Sequence, residues 1–134
     1  VASPTLLARQ GAAHFPADLS AWPSLALGTP QEHYQWTLYG PEAAQITLYH
    51  TPRLVTGDMI ALRAAAVAGV GVVQLPMMLV RAELADGALV RLLPEWTLQR
   101  EIIHAVYPSR RGLLPAVRVL IDDLAQRFKA LDED

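Results

Sequence analysis

Residues 64–80 form a run of 17 residues without a charged side chain, and the breaks inside that run constrain the fold more than any other feature. A membrane-spanning helix needs about 20 continuous apolar residues, whereas Gly69, Gly71, Gln74 and Pro76 interrupt this stretch. A buried helix, a tight turn and a buried strand satisfy the pattern instead. Thr56 is a plausible helix cap, Asp58 falls in the first turn where the helix dipole favours an anion, and Met59, Leu62, Ala65 and Ala66 keep one buried stripe. The helix is predicted to run to about Ala68. Gly69 then takes the left-handed conformation that ends it, Gly71 permits a sharp return, and Val72-Val73-Gln74-Leu75 reads as a short strand. With a preceding strand this makes a βαβ unit. Pro76 starts a further helix through Leu79, Val80 and Leu84, Gly87 stops it, and a strand over 88–92 comes next.

The flanking segments carry their own signals. Ser3 before Pro4 is a good helix start, and the helix should end at Gln10 before Gly11. Pro16-Ala17-Asp18-Leu19 looks like a second helical turn leading to Trp22-Pro23. Over 24–54 the period becomes two, with Tyr34, Trp36 and Leu38 alternating with polar neighbours and Gly40-Pro41 making a turn before Ile46 and Leu48. Two or three strands are predicted there, the later ones an antiparallel pair. After a loop around 94–100, a strand is expected over 102–106, ending at Tyr107-Pro108. The last helix starts near Pro115, and Val117, Leu120, Ile121, Leu124, Phe128 and Leu131 fall on one apolar face. Asp132, Glu133 and Asp134 would oppose the negative end of its dipole and should fray or lie beyond it.

Composition excludes several functions. The chain has 134 residues, 52% of them hydrophobic, enough to bury a core as one domain. A formal net charge of -2 is too near neutrality for a polyanion-binding surface, which disfavours direct nucleic-acid contact. Cysteine is absent, so there is no disulfide framework, thiolate zinc site or cysteine nucleophile, and a reducing cytoplasm is the default expectation. The opening Val1-Ala2-Ser3-Pro4 lacks a methionine and an export signal and reads as the cropped remainder of a longer protein.

Few residues converge on chemistry. His14, His33, His50 and His104 lie in four separate segments without a second ligand at helical spacing, so neither a metal nor a cofactor is expected. None of Ser3, Ser20, Ser24 or Ser109 sits in a Gly-x-Ser-x-Gly elbow. Gly69-x-Gly71 comes after a helix and precedes a strand, the reverse of a dinucleotide loop. Arg110-Arg111 beside Ser109 reads as a solvated turn. The surviving candidate is the helix start at Thr56-Gly57-Asp58, where unpaired N–H groups, a glycine and a hydroxyl could hold a small polar group. Asp58 argues against a bare anion and for a donor such as an ammonium or hydroxyl. An ordinary capped helix is the alternative. Trp36, Tyr34, Tyr39 and Tyr49 could line a pocket, although aromatics alternating on a strand are more often core.

Taken in order, these pieces resemble one family. Val1-Ala2-Ser3-Pro4 with Leu7-Ala8-Arg9 and Gly11, Pro16-Ala17-Asp18-Leu19, Asp58-Met59, Ala64-Ala65-Ala66, Ala68-Gly69-Val70-Gly71 and Leu75-Pro76 are similar to the inducer-binding domain of LysR-type transcriptional regulators. Gly87-Ala88-Leu89-Val90-Arg91-Leu92-Leu93-Pro94, Ala105-Val106-Tyr107-Pro108-Ser109-Arg110-Arg111, Leu114-Pro115 and Val117-Arg118 resemble its closing strand and helix. The resemblance implies an α/β, periplasmic-binding-protein-like fold of two subdomains joined by crossover strands, with a small effector in the cleft. Residues 1–93 would form the second subdomain, and 94–134 the crossover strand and C-terminal helix of the first. The winged helix-turn-helix and most of the first subdomain are missing, Leu6 replaces a common tyrosine, and Trp22 stands where histidine is frequent. Carried over by position, Thr56, Gly57 and Asp58 face the cleft, Ser3 lies at the crossover, Tyr107 closes the returning strand, and Trp36 is a weaker candidate for a cleft wall.

Two functions are implied, neither catalytic. One is the effector-sensing domain of a bacterial regulator, binding a small polar metabolite as part of a homodimer, away from any membrane, with DNA bound by the absent domain. The other is a self-association module, in which the apolar face of the last helix and the returning strand find cover on a second copy. A hydrolase is the least favoured reading, because no nucleophile, base and oxyanion site converge.

Overall fold

The computed structural model describes residues 1–99, 106 and 114–132, with side chains to 129. They fall into two compact units, Val1–Gln99 and Arg100–Asp134. In chain order the elements are α1 (Pro4–Gln10), a 3₁₀ turn (Pro16–Ala21), β1 (Ser24–Leu27), β2 (Tyr34–Tyr39), a second 3₁₀ turn (Pro41–Ala43), β3 (Gln45–His50), β4 (Pro52–Thr56), α2 (Met59–Val67), α3 (Met77–Ala85), β5 (Thr97–Leu98) and α4 (Pro115–Asp132).

In the first unit, β1 and β4 pair in parallel, with Leu25 opposite Leu54 and Leu27 opposite Thr56. The register slips between Ser24 and Leu25, where the partners jump from Pro52 to Leu54 and Arg53 is left as the extra residue of a bulge. The other edge of β1 is filled from further along the chain. Val72 donates to the Pro23 carbonyl and accepts from Leu25 N–H, each at 2.8 Å. Val73 exchanges hydrogen bonds with Val1, and Ala2 with Val90. The two strands expected over 72–75 and 88–92 are thus reduced to isolated bridges at Val72 and Val90. Each is cut short by the next stretch of chain: α3 begins at Met77, and Leu93 turns into the left-handed region at φ 50°. The βαβ unit is present, with β1 inserted between its two parallel strands.

Backbone proximity explains the glycines at this turn. Gly69 ends α2 at φ 76°, a conformation that costs a residue with a Cβ about 1–2 kcal/mol. A Cβ on Gly71 would lie 2.8 Å from the Pro23 carbonyl oxygen, so no larger residue fits between this segment and β1. Leu25, Leu62, Ala66, Val73, Val80 and Leu89 close the aliphatic core beneath. Each large side chain buried there contributes about 1.5–3 kcal/mol. Across its solvent side, Arg63 of α2 pairs with Glu83 of α3 at 3.4 Å and donates to the Leu79 carbonyl.

A second sheet, ordered β3-β2-β5, pairs Trp36 with Leu48 and Tyr34 with His50 in antiparallel register. The expected alternation holds, since Trp36 and Leu38 point into a core shared with Ala2, Leu6, Leu19 and Trp22. Two strands depart from the sequence expectation. Pro52–Thr56 is a separate strand, and the segment expected as a loop contributes Thr97–Leu98, paired with β2. His50 fastens this sheet to the first: its Nδ1 lies 2.7 Å from Ser24 Oγ, and its ring stacks on Trp36 at 3.9 Å.

In the second unit, α4 extends to Asp132, one residue into the acidic tail expected beyond it, with Glu133 and Asp134 outside the described residues. Arg127 Nε donates to Asp123 at 2.8 Å one turn back. Val117, Leu120, Leu124 and Phe128 are exposed by 36, 56, 41 and 38%. The strand expected over 102–106 lies outside the described residues except for Val106, as does Tyr107. Among the described residues, no helix is long and apolar enough to cross a membrane.

Candidate functional site

The start of α2 differs from the sequence expectation in its capping residue. Thr56 ends β4, held by its pairing with Leu27 and by Gly28 N–H donating to its carbonyl at 3.0 Å. Its hydroxyl accepts from Asp58 N–H at 3.2 Å, and Asp58 is the cap. Asp58 Oδ1 accepts from the amides of Ile60 at 2.8 Å and Ala61 at 3.3 Å. Two donors expected to be available for a ligand are therefore taken by the chain's own carboxylate, which also neutralises the positive helix end.

The tip offers an acceptor instead. Asp58 Oδ2 has no hydrogen-bond partner among the described residues, and Asp58 is exposed. Gly57 beside it is exposed, with nothing within 4 Å of the place its Cβ would occupy. A ligand can thus reach both the backbone and a carboxylate oxygen. An ammonium or hydroxyl gains a charge-assisted hydrogen bond there, whereas an anion meets like charge. Among the described residues, no group of three His, Cys, Asp or Glu converges to hold a metal.

Ser3 and Trp36 are not gathered at this tip, and Tyr107 lies outside the described residues. Ser3 is 1% exposed and caps α1, accepting from Leu6 N–H at 3.3 Å. Its hydroxyl abuts Gly69, 3.1 Å from where a Cβ would sit, at the far end of α2. The nine residues of α2, about 13 Å of helix at about 1.5 Å per residue, run between the Thr56–Asp58 end and the turn at Gly69 that Ser3 abuts. Arg9 reinforces that far end by donating to the Gly69 carbonyl. Trp36 is 9% exposed and packed behind His50, as core rather than surface.

Known proteins are similar to this chain in sequence and in fold. The family model described as "LysR substrate binding domain" matches residues 1–129. The HTH-type transcriptional regulator PtxR of Pseudomonas aeruginosa is 36% identical over 102 residues, 76% of this chain and 31% of that protein. The HTH-type transcriptional activator AaeR of Escherichia coli is 30% identical over 127 residues, 95% of this chain and 41% of that protein. The chain therefore spans 31% and 41% of the length of these two curated relatives. Among solved structures, the regulatory domain of CrgA from Neisseria meningitidis, a LysR-type transcriptional regulator, superposes with a TM-score of 0.71 at 25% identity, covering 93% of this chain and 61% of that one. A variant of the AphB regulatory domain from Vibrio vulnificus gives 0.70 at 26% identity, covering 90% and 60%. Matched along nearly its whole length by a family model, by regulators and by regulatory-domain structures, this chain belongs to the LysR substrate-binding domain family.

Proposed function

We propose that this chain is the effector-sensing part of a LysR-type transcriptional regulator and that it binds a small polar metabolite through Thr56, Gly57 and Asp58. The observation that carries this reading is an open glycine backbone beside a carboxylate oxygen without a partner, at a helix start fastened to the sheet edge. Binding without turnover is the mode of action of such regulators. The effector acts by preferring one arrangement of the protein, and that preference is read at DNA by a domain outside this chain. In this reading, residues 1–93 are the second effector-binding subdomain and 94–134 return to the first. Ser3 supports the fold by capping α1, Trp36 backs a wall, and Tyr107 closes the returning strand. The whole regulator works in the cytoplasm as a homodimer.

The test is a titration of polar metabolites into the full-length regulator, read by its affinity for its operator. A saturable response that weakens in Thr56→Val and Asp58→Ala is expected. No response from any metabolite, or a response indifferent to both substitutions, overturns the assignment. The exposed apolar side chains Val117, Leu120, Leu124 and Phe128 favour a second reading, in which α4 mediates self-association. Sedimentation at high concentration separates the two, because a strictly monomeric chain excludes self-association while leaving effector binding intact.

A further inference from the structure

A groove of about 510 Å³ lies in the first unit, away from Thr56–Asp58 and sharing no residue with it. Its size is within the range of small-molecule sites, about 300–1,000 Å³. Glu32 and Arg53 line it from two different segments, with Tyr34, Tyr49, His33 and His50 as ring-bearing walls.

Three observations distinguish this groove from an ordinary surface crease. The first concerns charge: the side chains of Arg53 and Glu32 share the groove, yet neither forms an ion pair or hydrogen bond among the described residues. A cation and an anion that line one cavity without pairing to each other fit a ligand that carries both signs. The second is the bulge that leaves Arg53 out of the β1–β4 register. Bulges re-aim a side chain and are over-represented beside binding sites. The third is the preparation of the walls. The Tyr34 hydroxyl accepts from Gln31 N–H at 2.7 Å and donates to the Thr29 carbonyl, which fixes the loop carrying Glu32 and His33. His50 is held through Nδ1 by Ser24 and from behind by Trp36, leaving Nε2 as its uncommitted ring nitrogen. Tyr49, by contrast, is 67% exposed, a large ring at the rim with little of its own to pack on.

We propose that this groove is a second ligand site, for a small zwitterion bearing a ring, such as an aromatic amino acid. Arg53 takes the carboxylate, Glu32 takes the ammonium, and Tyr34 with His50, its cross-strand partner on the same face of the sheet, covers the ring. Charge-assisted hydrogen bonds at both ends fix its orientation, and the aromatic walls supply the buried area.

Calorimetric titration of the 134-residue chain with L-phenylalanine, 3-phenylpropionate and phenethylamine tests this. The amino acid should bind saturably, and each single-charge analogue at least about tenfold more weakly. Arg53→Gln should abolish the advantage over the amine, and Glu32→Gln the advantage over the acid. Both positions are exposed, and matching thermal melts check that the variants remain folded. Thr56→Val should bind as the parent does, which keeps this site separate from the helix tip. Absence of saturable binding up to about 10 mM overturns the proposal, as does equal affinity for all three probes, loss in Thr56→Val, or indifference to both charge substitutions.

Discussion

The two sheets of the first unit are packed by opposite means. Around β1 the spacing is set by backbone against backbone, with Gly71 pressed on Pro23 and aliphatic side chains filling the remainder. Around β2 and β3 it is set by rings, with Trp36 stacked on His50 and Trp96 lying over Gly40. A main-chain contact admits no added atom, whereas a ring can tilt. The helix tip is therefore mounted on the unyielding sheet, and the groove borders the adjustable one.

The largest expected effect tests the aliphatic side. Leu62→Ala removes a fully buried side chain and should cost about 2–5 kcal/mol, measured by urea unfolding. The two glycines then set one packing mode against the other. Gly71→Ala drives a methyl into the Pro23 carbonyl and should cost about 1–3 kcal/mol. Gly40→Ala meets only the Trp96 ring, at 2.7 Å, and should cost less. A larger loss at Gly40 than at Gly71 would break the contrast. Asp58→Ala should cost about 1 kcal/mol by leaving the Ile60 and Ala61 amides without a cap, while Asp58→Asn should restore most of it.

The smallest effect is a pH dependence on the ring-packed side. Burial lowers the pKa of His50 below its ordinary 6.5, so the folded chain binds fewer protons at this site than the unfolded chain. Stability contributed by neutral His50 is present above 6.5 and is lost as pH falls through that value toward the lower folded pKa. Between about pH 7.5 and about pH 5.5 the parent should lose more stability than His50→Gln, and equal losses would show that the ring is not buried as described.

Much of this was legible in the chain because the deciding interactions are local. Ser3 before Pro4 starts α1, and Gly69 ends α2, since a cap and a left-handed turn each depend on a few adjacent residues. The resemblance to the family likewise rested on motifs in order. The features that escaped depend on distant partners. Thr97–Leu98 is a strand only because β2 offers an edge, and 72–75 keeps a single bridge because α3 starts so soon after it. Thr56 and Asp58 are both good caps, and the choice between them is set by where β4 stops. At the helix tip, Thr56-Gly57-Asp58 was visible as a contiguous motif, whereas the burial of Ser3 and Trp36 depends on packing partners remote in sequence. The groove was the least legible feature, because Tyr34 and Tyr49 each look like core on an alternating strand. Only the fold brings them, from opposite faces of the β2–β3 ladder, to the groove that Arg53 of the other sheet also lines.

The bulge at Arg53 also insulates one end of a strand from the other. Residues 54–56 are locked to β1 in continuous register, whereas Arg53 stands outside that ladder. Exchanging the side chain at 53 leaves the frame of Thr56 and its helix untouched, so the charge presented at one end of β4 can be retuned without disturbing the other.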